Sequence, residues 1–247
     1  MDRALYVGMS GAMQTLLAQT ANSNNLANAS TTGFKAQLVD SQSAPVNGPG
    51  LPSRVNAQLL DQGWDSTSGT ISQTGRDLDV ALKDGDWLAV QASDGSEAYT
   101  RAGNLSVDAY GQLITGGGQP VLGDNGPISV PAYSSIKIGG DGTISIVPQG
   151  QTANTVATVG RLKVVQASAA QLGRGADGLM RSVSGDPPDA ASGETVVAGA
   201  LEGSNVDLAT TMVNMIQLAR QFDLQSKLMK TAEDDSSASS SLVQMNQ

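Results

Sequence analysis

The sequence is constrained most by helical apolar patterns at its two ends, which are separated by a long turn-rich region. From Ala4 to Phe34 the chain carries no charged side chain, yet glutamine, asparagine, serine and threonine recur throughout. Such a segment is too polar to span a membrane, which takes about 20 predominantly apolar residues. It is also too poor in charge to be solvated on all sides. The sequence therefore predicts a helix that packs against partners and does not insert into a membrane.

Both ends repeat the alternating three- and four-residue steps that keep one stripe of a helix against a neighbour. The N-terminal stripe consists of Leu5, Met9, Ala12, Leu16, Gln19, Ser23 and Leu26. The C-terminal stripe consists of Leu208, Met212, Met215, Ala219, Phe222, Ser226 and Met229. Stripes at opposite ends of one chain predict that the two helices pair as a coiled coil. The alternative is a pair of ordinary amphipathic helices lying on the central region.

The two terminal helices have recognisable boundary signals. Asn22, Asn24, Asn25 and Asn28 crowd the last turns of the first helix, and Gly33 then supplies a residue suited to positive φ. Ser204, followed three residues later by Asp207, fits a capping box at the start of the second helix. Because the stripes hold few large apolar side chains, we expect the isolated ends to be largely disordered and to become helical on assembly.

The region between the ends has the pattern of an antiparallel β domain. Leu78, Val80 and Leu82 alternate with polar residues, which predicts a strand with one buried face. Five dipeptides that favour tight hairpins follow: Asp84-Gly85, Asp94-Gly95, Tyr110-Gly111, Asn125-Gly126 and Asp141-Gly142. The fold class predicted is α+β, with paired terminal helices and a central antiparallel β domain. The predicted divisions are a helix at 1–33, an extended arm at 34–75, the β domain at 76–200, a helix at 201–235 and a flexible serine-rich tail at 236–247.

Composition narrows the possible functions. The chain has no cysteine and no histidine, which removes thiolate nucleophiles, the commonest general base and the usual zinc ligands. Its net charge of -9 disfavours a nucleic acid partner. Asp77, Asp79, Asp84 and Asp86 could suggest paired-carboxylate or calcium chemistry. We interpret them instead as a solvated hairpin, with Asp77 and Asp79 on the solvent face of a strand. We therefore expect no enzyme activity, cofactor or metal.

Several segments resemble the flagellar axial proteins, the rod and hook family of the bacterial basal body. The resemblance rests on segments in matching order: Met1 to Ala12, Asn24 to Lys35, Leu78 to Trp87, Tyr99 to Leu105 and Leu201 to Val206. The start of the chain and its single β domain are most similar to proximal rod proteins, with distal rod and hook-type proteins as alternatives. A carbohydrate-binding or adhesive β protein is the rival class, and an exported toxin or effector is a remoter one.

The resemblance implies a structural subunit of the rod that assembles with itself and with other proximal and distal rod subunits. It also implies export through the flagellar type III apparatus to the periplasmic rod, without a cleavable signal peptide. Residues expected at the assembly interface are Leu5, Met9, Leu16, Asn24, Asn25, Leu26, Asn28, Leu208, Met212, Met215, Phe222 and Met229. The asparagines are candidates for polar contacts between subunits, with helix termination as the alternative.

Two charged residues inside the matching segments are further candidates. Arg101 either pairs with a carboxylate, inside the β domain or across a subunit boundary, or is an exposed surface charge. Glu202, near the predicted start of the second helix, is a candidate to meet an arginine of a neighbouring subunit.

Overall fold

The computed structural model describes residues 2–45, 55–151 and 155–245. These residues form two compact units. The helical unit combines the described parts of Met1–Ala27, Gln37–Gly63 and Asp207–Gln247, and the β unit combines Asn28–Ala36 with the described parts of Trp64–Val206. Both units are thus built from separated stretches of sequence.

Two helices and 19 strands lie in the described residues. The helices are α1 (Asp2–Ala27) and α2 (Leu208–Met245). The strands are β1 (Gln37–Pro45), β2 (Val55–Trp64), β3 (Ile71–Gln73), β4 (Val80–Leu82), β5 (Asp86–Gln91), β6 (Glu97–Thr100), β7 (Leu105–Val107), β8 (Leu113–Thr115), β9 (Leu122–Gly123), β10 (Gly126–Pro127), β11 (Tyr133–Ile138), β12 (Thr143–Pro148), β13 (Ala157–Arg161), β14 (Val164–Gln166), β15 (Leu172–Arg174), β16 (Met180–Ser182), β17 (Asp189–Ala190), β18 (Val196–Ala198) and β19 (Ala200–Glu202).

The α+β class is confirmed: the terminal helices pack on each other and a β region lies between them in sequence. The largest sheet has six strands in the order β15-β16-β6-β5-β14-β17, and a second sheet has the order β11-β12-β13. Strand pairs with a described register are antiparallel, as predicted. The five hairpin dipeptides each place their glycine at positive φ, because these turns need a conformation that glycine adopts without steric cost.

Helix boundaries differ from the sequence expectations at three points. α1 ends at Ala27, before the predicted limit of residue 33. The cap of α2 is Asp207, whose Oδ1 accepts hydrogen bonds from the backbone N–H groups of Ala209 and Thr210. Ser204 Oγ accepts from Val206 N instead, so the predicted capping box at Ser204 is wrong. α2 then continues to Met245, through most of the predicted serine-rich tail.

The predicted extended arm is also more regular than expected. β1 and β2 pair with each other and occupy much of 34–75, and 46–54 lies outside the described residues. The side-chain amide of Asn25 fixes the start of this ribbon, because it accepts from Gln37 N at 2.8 Å and donates to Gln37 O at 2.9 Å.

The core of the β unit lies on both sides of β5. Leu88 and Val90 join a large aliphatic cluster, whereas Trp87 and Ala89 join a second cluster that contains Trp64 and Tyr99. Alternate residues of a strand point to opposite faces, so β5 belongs to both clusters. Its side chains from Asp86 to Val90 are all buried.

The one-sided strand predicted around Leu78 to Lys83 is wrong. All three residues of β4 are buried, and Asp79 before it is 1% exposed, with its carboxylate accepting from Thr74 Oγ1. Asp86 is buried as well, whereas Asp77 and Asp84 are exposed. Contacts from other strands cover both faces of this segment, which alternation in a single stretch of sequence does not reveal.

Tyr99 should make the β unit less stable in alkali. Burial, and then the Glu97 carboxylate that accepts its hydroxyl proton, raises the pKa of Tyr99 above its ordinary 10.0. Above about pH 10 the unfolded chain releases this proton while the folded chain keeps it, so the free energy of unfolding falls by up to about 1.4 kcal/mol per pH unit. Urea titrations at about pH 9 and 11 should show a smaller fall for Tyr99→Phe. An equal fall in the free energy of unfolding between these pH values for the unchanged chain and for Tyr99→Phe would contradict the assignment of this effect to Tyr99.

Candidate assembly interface and chain junction

α1 and α2 approach each other over small residues. A Cβ atom built on Gly8 would lie 3.0 Å from Met229 Cγ, and one on Gly11 would lie 3.0 Å from Gln225 Nε2. Larger residues at these two positions would require the α2 side chains to move. The helix-weakening glycines of α1 are therefore explained by close packing.

Polar contacts complete the helix pair. Thr15 Oγ1 lies 3.0 Å from Gln225 Oε1, and Asn22 Nδ2 donates to Thr211 O at 2.9 Å. Thr15 contacts Gln225, whereas Asn22, which comes later in α1, contacts Thr211, which comes earlier in α2. The two helices therefore run antiparallel. Ala12, Thr15 and Ala21 are buried on α1.

The predicted stripes only partly coincide with this contact. Ala12 lies in it, and Met229 approaches Gly8, but Met9 and Leu16 are exposed by 54% and 47%. Leu208 and Met212 are likewise exposed, and Leu5, Leu26, Met215 and Phe222 are half-buried. The prediction that Met9, Leu16, Leu208 and Met212 face the partner helix within the chain is thus wrong. On α1, small and polar residues occupy that face instead.

Among the described residues of the two helices, eleven large apolar side chains remain exposed on the helical unit. We define the outer apolar face as Tyr6, Met9, Met13, Leu16, Leu17, Leu208, Met212, Val213, Ile216, Leu224 and Leu228, all of which are exposed. Large apolar side chains left exposed in this number along two helices are typical of a protein interaction site. The face therefore indicates packing against further chains.

The asparagines have several placements. Asn24 is exposed, and the Asn25 amide is engaged with Gln37 as described above. Asn28 lies just beyond the end of α1, where its backbone O and its Oδ1 accept from Thr31. The contacts of Asn28 are those of helix termination, the alternative interpretation of this motif, whereas Asn25 binds the first residue of β1.

The two chain segments that adjoin the helices meet inside the β unit. Gly33, with φ of 68°, donates from its N–H to Glu202 O at 2.8 Å. A Cβ on Gly33 would lie 2.3 Å from the backbone carbon of Arg101, so only glycine fits here without movement. Asn205 accepts from Ala36 N through Oδ1 at 2.7 Å and donates to Asp65 O through Nδ2 at 3.1 Å.

Three charged side chains form the centre of this junction. Lys35, Arg101 and Glu202 are 2%, 3% and 1% exposed. Lys35 Nζ lies 2.8 Å from Glu202 Oε1 and also donates to Thr67 O at 2.7 Å. Arg101 Nε and Nη2 each lie 2.6 Å from Glu202 Oε2. We call these three residues the junction cluster.

The remaining hydrogen bonds of the cluster go to the backbone. Arg101 Nη1 donates to Asp86 O at 2.8 Å and Lys83 O at 3.1 Å, and Nη2 donates to Leu82 O at 3.1 Å. Glu202 Oε1 accepts from Gly69 N at 2.9 Å. Arg101 thus binds the turn between β4 and β5 at three carbonyls, which suits the fixed fork of a guanidinium.

Burial governs the electrostatics of the cluster. It lowers the pKa of Lys35, an effect opposed by the hydrogen bond to Glu202 and reinforced by the charge of Arg101. Burial also raises the pKa of Asp86, against the opposing charges of Arg101 and Lys83. Lys35 and Arg101 both pair with the Glu202 carboxylate, so Glu202 is the bonded counter-ion of both cations.

Aromatic rings lie beside two arginines at the junction, Arg101 and Arg174. The Arg101 guanidinium lies 5.8 Å from the centroid of Trp87, whose ring meets Trp64 edge-on at 5.1 Å. Arg174 lies over the Phe34 ring at 4.6 Å and donates through Nη2 to Lys35 O. These contacts hold Phe34 and Lys35 against β15.

Sequence reasoning found part of the cluster. It named an internal carboxylate as one possible partner of Arg101, and the structure supplies Glu202, which was expected to meet an arginine of a neighbouring subunit instead. Lys35 was missed, although it is the first charged residue after the charge-free stretch. Asn205 and Arg174 were also missed, because nothing local in the sequence distinguishes them from surface residues.

Metal-binding clusters and membrane-spanning helices are both absent from the described residues. These residues contain no group of three or more His, Cys, Asp or Glu side chains that could hold a metal ion. No helix among them is long and apolar enough to cross a bilayer.

Comparisons with known proteins match along the whole chain. The flagellar basal-body rod protein FlgF of Escherichia coli strain K12 is 45% identical over 252 residues, and FlgF of Salmonella typhimurium strain LT2 is 43% identical over 252 residues; each match covers 100% of both chains. The chain belongs to the FlgF family of flagellar basal-body rod proteins. A flagellar basal-body rod protein FlgG from Bacillus subtilis strain 168 is 34% identical, over 95% of this chain and 96% of its own.

Three family models match successive parts of the chain. They are described as Flagella basal body rod protein, at residues 5–35, Flagellar hook protein FlgE/F/G D1 domain, at residues 81–146, and Flagellar basal body rod FlgEFG protein C-terminal, at residues 197–242. Each matched range contributes one member of the junction cluster: Lys35, Arg101 and Glu202 respectively. The cluster therefore joins the three parts of the family pattern.

Arg101→Lys should lower the free energy of unfolding of the β unit by about 3 kcal/mol, since a lysine keeps the charge but cannot reach Glu202 and three carbonyls together. Urea titration followed by tryptophan emission would measure the change. Arg161→Lys is the matched control, because Arg161 makes an exposed contact to Asp141 O. An equally small effect for both variants would contradict the assignment.

Proposed function

We propose that this chain is a structural subunit of the proximal rod of the bacterial flagellar basal body, with a role in motility. The observation that carries the proposal is the outer apolar face of the helix pair, which gives identical or related subunits a surface to pack on. Full-length similarity to proteins named FlgF supports the proximal rod over the distal rod. Similarity to a protein named FlgG is lower.

In this proposal α1 and α2 form a coiled-coil pair that packs with the pairs of neighbouring subunits. Met9, Leu16, Leu208 and Met212 make contacts between subunits, whereas Met215, Phe222 and Met229 support the pair itself. Asn24, exposed near the end of α1, contributes polar contacts to a neighbour, and Asn25 and Asn28 shape the helix end. Leu5 and Leu26, both half-buried, are shared between the two roles.

The proposed partners are further copies of this chain, other proximal and distal rod subunits and the flagellar type III export apparatus. The proposed working site is the rod in the periplasmic space, reached by type III export. The action is mechanical: the packed helices resist twist and so transmit motor torque. Stiffness of the interface, rather than any chemical step, then determines performance. Electron microscopy of basal bodies with this subunit labelled would test its position along the rod.

Leu16→Asp should leave export normal and abolish incorporation into basal bodies. Because Leu16 is exposed on α1, the change leaves the contact between α1 and α2 intact while placing a charge in the outer apolar face. Quantification of the subunit in purified basal bodies, beside the amount exported, measures the effect. Val183→Asp is the matched control, since Val183 is an exposed apolar residue of the β unit. Basal bodies with normal occupancy of the Leu16 variant would refute the proposed interface.

The dilute chain should show much less helix than α1 and α2 contain. The outer apolar face has no partner in the monomer, and α1 contributes small and polar residues such as Gly8, Gly11 and Thr15 to the contact between the helices. Far-ultraviolet circular dichroism at rising protein concentration should show helicity increasing on assembly. Strong helicity in the dilute chain that disappears when both ends are trimmed would contradict this expectation.

A further inference from the structure

We propose that the β unit can fold fully only when the Glu202 carboxylate neutralises two buried cations, Lys35 and Arg101. We call this requirement the charge lock. The three residues come from distant parts of the chain: Lys35 and Glu202 are 167 positions apart, and Arg101 and Glu202 are 101 apart. The lock concerns the folding of the chain itself and goes beyond the role of a rod subunit.

Glu202 is the counter-charge that bonds both cations, although the Asp84 carboxylate also acts on Lys35 from a greater distance. Among the described residues it is the carboxylate within ion-pair distance of both Lys35 and Arg101. Asp84 is exposed and accepts from Ser68 Oγ, and Asp86 offers Arg101 its backbone carbonyl rather than its carboxylate. Without Glu202 two like charges would lie buried together.

The same segment that carries Glu202 completes the strand pairing. β18 pairs with β4, and β19, which ends at Glu202, pairs with β3. Between them Gly199 N donates to Asp79 O at 2.7 Å. The residues from Val196 to Glu202 therefore supply both the hydrogen-bond partners of two strands and the anion of the junction cluster.

Folding of the β unit before this segment is in place is unfavourable, because it would bury Lys35 and Arg101 without a bonded counter-ion. A buried cation with no counter-ion is strongly destabilising, so Lys35 and Arg101 must remain hydrated until Glu202 arrives. Arg101 lies beside Trp87 and bonds to Leu82 O, and hydration there keeps the two apolar clusters from closing around β5. In a chain that is delivered from its N-terminus, Glu202 arrives after the other strands and just ahead of α2. The β unit thus closes when the start of α2 becomes available.

The test changes the charge balance in the full-length chain. Glu202→Gln should raise the unfolding equilibrium constant of the β unit by about a hundredfold, because both cations lose their anion. Adding Lys35→Met to that variant should recover at least about tenfold, since one cation is then absent. Urea titration followed by tryptophan emission reports both changes, because both tryptophans of the chain lie in the cluster beside Arg101.

Matched variants separate the lock from ordinary packing. Glu194→Gln removes an exposed carboxylate that pairs with Lys83, and should change the constant by less than about threefold. If Glu202 served only as a hydrogen-bond acceptor for Gly69 N, the double variant would be no more stable than Glu202→Gln, and that result would overturn the lock. Should Glu202→Gln fail to fold, folding of the double variant supports the lock, and failure of both overturns it.

Discussion

The β unit depends on the neutralisation of two buried cations by the carboxylate of Glu202. Lys35 enters from the segment after α1, Arg101 from the loop after β6, and Glu202 from the strand that precedes α2. A buried ion pair adds little net stability by itself, but its disruption is costly. The cluster therefore fixes which segments must come together, and the apolar clusters around β5 supply the stability.

The helical unit follows a different physical rule. Gly8 and Gly11 allow α2 to approach α1 closely, and the polar contacts of Thr15 and Asn22 orient the pair. Many large apolar side chains, with Leu16 and Met212 among them, stay exposed. A subunit whose apolar surface is withheld from its own core is suited to assembly, since burial of that surface drives association.

Local patterns predicted much of the fold. Three-four periodicity identified both helices, and the Asp-Gly and Asn-Gly dipeptides identified the turns, because period and positive φ are properties of short stretches. The resemblance of Asn24 to Lys35 and Leu201 to Val206 to rod and hook proteins agreed with the full-length comparison. Met9, Leu16, Leu208 and Met212 were assigned to the wrong contact, since periodicity shows that a helix has an apolar face but not which neighbour covers it.

The sequence by itself determined that the ends are helical, that the middle is an antiparallel β region and that the chain belongs with rod proteins. Only the tertiary structure decided that Asp79 and Asp86 are buried, that Met9 and Leu16 face outward and that Lys35 and Arg101 share Glu202. The physical reason is that burial and charge pairing depend on contacts across more than a hundred positions of the chain, whereas helix period and turn chemistry depend on a few neighbouring residues.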